Sequence, residues 1–295
     1  MYKIFFTAVL VFTSCLGIQA QEFQGMAVYE TKTSTADFKK RMEGNKNMTP
    51  DMLKRIEEGM KSMFEKTFIL NFDKSASIYK EQEKLDSPGQ AGGMRMMMSS
   101  MTGGGGTFYK NVKEKSYAVD KDFMGKEFLV KDSLPNLKWK MEGETRVIGG
   151  YNCIKATAIV PVNQTDFRNF APRKEDDKAV KPADEAKKTN LLDNLEMPKE
   201  ATITAWYTPE IPVNQGPENY WGLPGLILEV NDGKTIILCS KVVMNPKEKA
   251  VIKAPAKGKV ITQKEFDETV IKKMEEFRQM NQGQGRGNGG FRIGG

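Results

Sequence analysis

The chain has 295 residues with a mean hydropathy of -0.51, and its formal net charge at pH 7 is +7. Hydrophobic residues make up 39% of it and charged residues 28%, which excludes a multi-span membrane protein and a wholly disordered chain. The absence of histidine excludes Ser-His-Asp and Cys-His nucleophile systems, His-ligated zinc centres and the usual proton shuttle at neutral pH. We therefore predict a protein that is not an enzyme; a hydrolase that works with carboxylates alone is the minority alternative.

The first predicted element is a signal peptide over residues 1–20. Residues 1–3 read Met-Tyr-Lys and give a positive start, residues 4–18 form an apolar run, and small Ala20 precedes the predicted cleavage bond. The apolar run is too short for a membrane span. We therefore predict export, with no membrane span after the signal peptide is removed. Lipidation at Cys15 ranks second, because residues 12–14 lack the leucine that usually stands three positions before such a cysteine.

The mature chain is predicted to form a single β-rich domain over residues 21–280. Many strand-like segments follow one another, which favours an antiparallel sheet over alternating strands and helices. A tight-turn signal, Asn-Asp-Gly at residues 231–233, joins two of them as a hairpin. The predicted strands lie at 24–32, 67–79, 107–119, 126–130, 137–141, 146–160, 202–207, 226–230 and 234–238.

Two helices are predicted, one towards each end of this domain. The first begins at Thr49, because Thr-Pro-Asp is a helix-start signature. The second begins at the capping box Thr262-Gln-Lys-Glu265. Each helix has an apolar face, formed by Met52, Leu53, Ile56, Met60, Met63 and Phe64 in the first and by Phe266, Val270, Met274 and Phe277 in the second. The predicted fold is α+β: a single curved antiparallel sheet, half-barrel-like, with both helices packed against it.

Three segments are predicted to lie outside the regular elements. These are a flexible methionine- and glycine-rich loop over residues 84–106, an exposed charged loop over 172–198 and a disordered glycine-rich tail over 281–295. Acidic and basic side chains are interleaved along the chain and are not gathered into one basic arm. A solvated surface explains that pattern better than a nucleic-acid footprint, so we predict no nucleic-acid partner.

The loop over residues 84–106 carries the candidate metal site. Its five methionines stand between glycines, which destabilise both helix and strand, so a core element does not explain them. Thioether sulfur is a soft, neutral ligand that favours Cu(I) over hard divalent ions. A hydrophobic contact surface for a partner protein and low-complexity drift are the two alternatives. The candidate ligands are Met94, Met96, Met97, Met98 and Met101.

Two cysteines remain in the mature chain, Cys153 and Cys239, and both stand in strand-like segments. In an oxidising compartment, an even pair of cysteines suggests a disulfide. Two buried free thiols are the alternative, because the geometry that decides between them cannot be deduced from the sequence.

An aromatic segment with four prolines and three glycines precedes the hairpin at residues 231–233. Such a composition predicts a rigid, shaped loop at one end of a sheet. We favour a structural anchor for the hairpin over a ligand or partner surface. The residues concerned are Trp206, Tyr207, Pro209, Glu210, Tyr220, Trp221, Gly222, Leu223, Pro224 and Gly225.

At this segment the chain resembles the GLPGLI family of secreted Gram-negative envelope proteins, since residues 222–227 read Gly-Leu-Pro-Gly-Leu-Ile. The resemblance extends over nearly the whole mature chain and includes residues 123–130, 139–140, 150–156, 206–212 and 222–232. It implies export past the inner membrane and frequent association with TonB-dependent outer-membrane transport. It defines no catalytic residues, because the family is largely uncharacterised. A loop rich in glycine and methionine also resembles a feature of many members.

The leading hypothesis is a non-enzymatic binding or accessory protein, periplasmic or associated with the outer membrane, that serves a TonB-dependent transporter. Its methionine-rich loop would bind Cu(I) or a partner. The alternative is a periplasmic carrier of lipophilic ligands, with an apolar cavity inside the half-barrel. The sequence leaves the oligomeric state open.

Overall fold

A computed structural model describes residues 23–34, 65–82, 106–162 and 199–284, the single positions 49, 51, 52, 54, 58 and 165, and the pairs 171–172 and 195–196. The described elements are fourteen strands and one helix, α1 (Gln263–Gln284). The strands are β1 (Gly25–Thr33), β2 (Lys66–Phe72), β3 (Ala76–Glu81), β4 (Thr107–Asn111), β5 (Ser116–Phe123), β6 (Lys126–Ser133), β7 (Lys140–Ile148), β8 (Tyr151–Pro161), β9 (Ala171–Pro172), β10 (Leu195–Glu196), β11 (Glu200–Thr208), β12 (Leu226–Asn231), β13 (Thr235–Met244) and β14 (Lys259–Ile261).

Twelve of these strands form one open, curved sheet. Their order is β14-β6-β5-β4-β3-β2-β1-β13-β12-β11-β8-β7, while β9 and β10 pair with each other. Neighbours are antiparallel except for β14, which runs parallel to β6. The alternation of side chains explains the sheet: β1 buries Ala27, Tyr29 and Thr31 and turns Glu30 and Lys32 outward. The predicted large antiparallel sheet is confirmed.

The turn between β12 and β13 is built as the sequence predicts. Gly233 has a φ of +86°, a backbone conformation that residues with a Cβ rarely adopt. The Gly233 N–H donates to Asn231 Oδ1 at 2.7 Å, and Asp232 Oδ1 accepts from the backbone N–H of Thr235 at 2.6 Å. The hairpin prediction is therefore confirmed.

The helix predicted at the C-terminal end is present as α1. Its capping box forms as expected: Thr262 N–H donates to Glu265 Oε2 at 2.9 Å, and Glu265 N–H donates to Thr262 Oγ1 at 3.2 Å. Phe266 and Val270 pack against the sheet at Phe123, Phe128 and Val130. The side chains of Met274 and Phe277 lie outside the described set.

Two other predictions on helical structure have different outcomes. The helix predicted in the N-terminal half is not among the described elements, and most residues between Met52 and Phe64 lie outside the described part of the chain. Helix α1 continues to Gln284 and so includes the first residues of the segment predicted as a disordered tail. Residues 285–295 and most of the charged loop at 172–198 lie outside the described residues.

The connection between β11 and β12, residues 209–225, is part of the core. Ile211, Val213 and Leu223 are each at most 3% exposed. They belong to one apolar cluster with residues from both halves of the sheet, among them Tyr29, Leu70, Phe72, Tyr79, Ile203, Tyr207 and Ile237. This connection therefore packs inside the curve of the sheet, where side chains of both halves converge on it.

Candidate functional site

The five methionines of the candidate metal site lie outside the described residues, but both roots of their loop are described. The loop joins β3 to β4, which are neighbouring antiparallel strands, and Lys80 pairs with Thr107 in register. The Gln82 N–H donates to the carbonyl of Thr67 at 2.8 Å, and the Thr107 N–H donates to the carboxylate of Asp120. The structure therefore fixes where this loop leaves the sheet and where it returns.

The structure describes Cys153 and Cys239 as buried free thiols, which differs from the predicted disulfide. Cys153 lies on β8 and Cys239 on β13, with β11 and β12 between them. Neighbouring strands lie about 4.8 Å apart, so the two intervening strands keep the cysteine Cα atoms well separated. A disulfide requires Cα atoms closer than about 7 Å. Burial raises the pKa of each thiol to about 11, because a thiolate would lose its hydration.

The aromatic segment is packed into the core at both of its ends. Trp206 and Tyr207 lie on β11 and are 8% and 4% exposed, and Leu223 is fully buried. A Cβ at Gly225 would lie 2.2 Å from the carbonyl oxygen of Thr208, so the chain passes too close here for a larger residue. Tyr220 and Trp221 are half-buried, whereas Pro209, Glu210, Gly222 and Pro224 are exposed.

Two tryptophans tie the same segment to the linker between β6 and β7. Trp139 Nε1 donates to the carbonyl of Trp221 at 2.8 Å, and Trp221 Nε1 donates to the carbonyl of Pro135 at 2.8 Å. On the opposite side of the segment, Glu210 Oε1 accepts from the backbone N–H of Asn152 at 2.8 Å. Residues 209–225 are thus held at several points, as a rigid anchor requires.

A buried lysine on β4 holds the middle of this segment. Lys110 is 1% exposed, although lysine is almost never fully buried unless its ammonium is paired. Its Nζ donates to the carbonyl oxygens of Gly216 at 2.8 Å, Glu218 at 3.1 Å and Tyr220 at 2.8 Å. One side chain from β4 therefore satisfies three backbone acceptors of the β11–β12 connection.

Burial and a nearby carboxylate act in opposite directions on the protonation of Lys110. Burial lowers its pKa to about 7, because the ammonium loses its hydration, while the nearby Glu218 acts in the opposite direction. Three carbonyls match the three N–H donors of an ammonium, whereas a neutral amine has two donors and a lone pair. The arrangement suits a structural cation better than a nucleophile, which needs its lone pair free.

Next to Lys110, a second polar contact joins the strands to the segment. Ser77 Oγ on β3 donates to Gln215 Oε1 at 2.9 Å, and both side chains are buried. Ser77 and Lys110 are directly opposite each other in the β3–β4 pair, so both side chains face the same side. Among the described residues, Gln215 Nε2 is buried without a hydrogen-bond partner. The β3–β4 hairpin is therefore clamped to residues 209–225 by two adjacent side chains.

Sequence reasoning missed Ser77, Lys110 and Gln215. A signal for Lys110 was present: in β4 it stands two residues after Phe108, so the two share a face, and Phe108 packs on the core. No local pattern relates Ser77 to Gln215, which lie 138 residues apart in the chain.

The described residues contain no group of three or more His, Cys, Asp or Glu side chains arranged to hold a metal ion. No helix among them is long and apolar enough to cross a membrane. Residues 94–101 lie outside the described part of the chain.

Comparisons with known proteins identify a family match but no function. A family model described as a protein of unknown function (Porph_ging) matches residues 139–229, which include β7, β8, β11, the segment 209–225 and the first part of β12. No curated protein matches the chain. Among solved structures, two crystal forms of PNGF-II are similar, each with a TM-score of 0.45 and 15% identity over 85% of this chain. The chain spans 33% and 34% of the length of those chains, about a third.

A lipoprotein structure also matches. The Mycobacterium tuberculosis lipoprotein LppX has a TM-score of 0.26 and 9% identity over 82% of this chain and 96% of its own.

Proposed function

We propose that this protein is exported and acts as a non-enzymatic binding protein: a rigid sheet that presents the methionine-rich loop over residues 84–106 as its binding element. The observation that carries the proposal is the clamped β3–β4 hairpin. The loop leaves and re-enters the sheet through this hairpin, and the same two strands are fixed to the core by Ser77 and Lys110.

The root of the loop supports this role by its geometry. Register partners in neighbouring strands lie about 5 Å apart, so Lys80 and Thr107 hold the two ends of the loop close together. Gly106 has a φ of +93°, and a Cβ there would lie 1.8 Å from the carbonyl oxygen of Asp120. Only glycine fits this return point. Both ends of the loop are fixed at neighbouring positions of the sheet, so its five methionines are tethered to one place on the protein. Tethered ligands have a raised effective concentration for a shared partner.

The chemistry of the loop favours a soft ligand. Met94, Met96, Met97, Met98 and Met101 supply neutral thioether sulfurs, which prefer Cu(I) and need no deprotonation. With no histidine in the chain, a Cu(II) or zinc centre of the usual kind is disfavoured. A flexible methionine surface for a partner protein is the second use of the same residues.

The alternative hypothesis, a carrier of lipophilic ligands, requires an empty apolar interior. Residues 209–225 occupy the inside of the curved sheet, and Ile211, Val213 and Leu223 fill it with the chain's own side chains. This packing favours recognition by surface loops over an enclosed cavity.

The location and the transport link are proposed on the GLPGLI resemblance. We propose a periplasmic or outer-membrane-associated protein that assists a TonB-dependent outer-membrane transporter. Pull-down from solubilised envelope, with the wild-type protein and the loop variant described below, tests whether such a transporter binds through the loop.

The metal role is tested by titrating the reduced protein with Cu(I) against a competing chelator. We expect a variant with Leu at all five loop positions (Met94→Leu, Met96→Leu, Met97→Leu, Met98→Leu and Met101→Leu) to lose at least about tenfold in affinity, since Leu has no sulfur ligand. The matched control replaces five methionines elsewhere: Met26→Leu, Met52→Leu, Met124→Leu, Met141→Leu and Met244→Leu. These volume-conserving changes should leave the affinity unchanged. Equal Cu(I) affinity in the loop variant and the wild type would refute the metal role.

A further inference from the structure

Between β13 and the end of β14 the chain forms an irregular but fixed segment, residues 245–261, which we call the strap. The Asn245 N–H donates to the carbonyl of Gln24 at 2.8 Å. The side chain of Gln24 then pairs with the backbone of Ala250 in both directions, at 2.9 Å each. Gly258 lies against the backbone of Phe128, and β14 pairs with β6. The strap is therefore held against the sheet at its beginning, middle and end.

The strap is strongly basic. It contains five lysines and one acidic residue, Glu248. All five lysines are exposed: Lys247, Lys249, Lys253, Lys257 and Lys259. Within the described part of the chain, the salt bridge of these lysines is that of Lys257 with Glu127, at 2.6 Å, and the Lys257 side chain remains 80% exposed. Among the described residues, no salt bridge joins Lys247, Lys249 or Lys253 to an acidic side chain, while Lys259 interacts electrostatically with Glu265. Most of the strap's positive charge therefore faces solvent.

Exposed aliphatic side chains stand among these lysines. Val251 is 81% exposed and Val260 is 61% exposed. Met124, in the turn between β5 and β6 and three residues from Glu127, is 40% exposed. Edge strands often carry lysine to prevent pairing with another sheet, but that role does not require valine or methionine in water. The surface combines positive charge with apolar side chains, whose transfer out of water is favourable.

We propose that the strap, with the neighbouring turn at Met124, docks on the surface of an anionic phospholipid bilayer. Lysines near such a surface are attracted to its negative potential, and aliphatic side chains beside them enter the boundary between headgroups and acyl chains. A nucleic acid would be expected to use aromatic side chains for stacking, and the strap contains none. An acidic peptide would engage the lysines and leave Val251 and Val260 in water.

The test is co-sedimentation of the full mature chain with vesicles of phosphatidylcholine alone or of phosphatidylcholine and phosphatidylglycerol in equal parts. We expect binding to the anionic vesicles, little binding to the neutral ones, and a loss of binding as NaCl is raised, because salt screens the attraction. Equal binding to both vesicle types, or to neither, overturns the proposal.

Two matched variants locate the surface. In the strap variant, Lys253→Gln, Lys257→Gln and Lys259→Gln remove three charges, and we expect the partition coefficient to fall at least tenfold. In the control variant, Lys32→Gln, Lys140→Gln and Lys241→Gln remove three charges from exposed positions on strands, so the net charge is the same. A control variant that loses as much binding as the strap variant overturns the proposal.

A footprint on the wild-type protein gives a readout that needs no substitution. Acetylation of lysines in the presence of anionic vesicles should be slowed at Lys253, Lys257 and Lys259 and unchanged at Lys32 and Lys140.

A valine variant separates a membrane from an acidic protein. Changing Val251→Ser and Val260→Ser should weaken vesicle binding but not binding to a soluble acidic peptide. If both variants of the strap change only the peptide binding, the partner is an acidic protein and the membrane proposal fails.

Discussion

Lys110 is a single buried residue that holds an irregular segment in place through three hydrogen bonds. Burying an ammonium is costly unless its hydrogen bonds are satisfied, and here three carbonyl oxygens at 2.8–3.1 Å take all three protons. The carbonyls belong to an irregular segment, which cannot satisfy them within a helix or sheet. The lysine and the segment therefore satisfy each other's hydrogen bonds, and removal of either leaves buried polar groups unpaired.

We expect Lys110→Met to lower the free energy of unfolding by about 3 kcal/mol, because three buried carbonyls lose their donor while the volume is nearly kept. Urea unfolding of the wild type and the variant measures this change. The control is Lys113→Met in the following turn, where the side chain is exposed and the effect should be within about 0.5 kcal/mol. A Lys110→Met variant as stable as the wild type would mean that the clamp contributes nothing to the fold.

At the scale of elements, the β11–β12 connection and the β3–β4 hairpin determine each other's position. The connection lies inside the sheet because Gly225 allows it to pass against β11 at Thr208. Its middle then reaches Ser77 and Lys110 on strands from the other half of the sheet. The proposed binding loop is mounted on this hairpin, so its position depends on a connection remote in the sequence.

Gly225→Ala should destabilise the protein by about 2 kcal/mol or more, since the new Cβ would lie 2.2 Å from the backbone oxygen of Thr208 and the backbone must move. The midpoint of urea unfolding measures the effect. Gly143→Ala is the matched control on the edge strand β7, because nothing lies within 4 Å of a Cβ built there. Similar midpoints for the two variants would show that the close approach is not a constraint.

For the whole molecule, the buried thiol and phenol groups make the free energy of unfolding decrease at alkaline pH. The thiols of Cys153 and Cys239 have pKa values raised by burial to about 11, from about 9 in the unfolded chain. Between these values the folded state binds more protons than the unfolded state, so stability falls as pH rises. Burial raises the pKa of Tyr29 and Tyr117 as well, which acts in the same direction. Lys110, with its lowered pKa, acts in the opposite direction above about pH 7.

We expect the free energy of unfolding of the wild type to fall between about pH 9 and pH 11 by roughly 2 kcal/mol per thiol more than that of a Cys153→Ala, Cys239→Ala variant. Urea unfolding of both proteins at each pH measures the difference, and the tyrosines and Lys110 are common to both. As a check on the free thiols, denatured and unreduced protein without residues 1–20, which contain Cys15, should take up two alkyl groups. Parallel pH profiles for the two proteins would contradict the assigned thiol burial.

Most strand-forming segments, the Asn-Asp-Gly hairpin and the capping box of α1 could be predicted from the sequence alone. They are determined by residues close together in the chain, through side-chain alternation, a positive φ at glycine and reciprocal capping contacts. The single strands predicted at 67–79 and 107–119 were wrong in one respect, because each is two strands joined by a turn. A shaped, non-repetitive course for residues 206–225 was also expected from their prolines and glycines. The methionine-rich loop remains a prediction from composition.

Only the tertiary structure determines which side chains pack inside the curve of the sheet. The pairing of Ser77 with Gln215, the carbonyl contacts of Lys110 and the separation of Cys153 from Cys239 all depend on which strands become neighbours. That order is set by the summed burial of side chains distant in sequence, not by any local pattern. The exposure of the strap lysines also depends on tertiary structure, because the residue type alone does not show whether a lysine is solvated or is buried as Lys110 is.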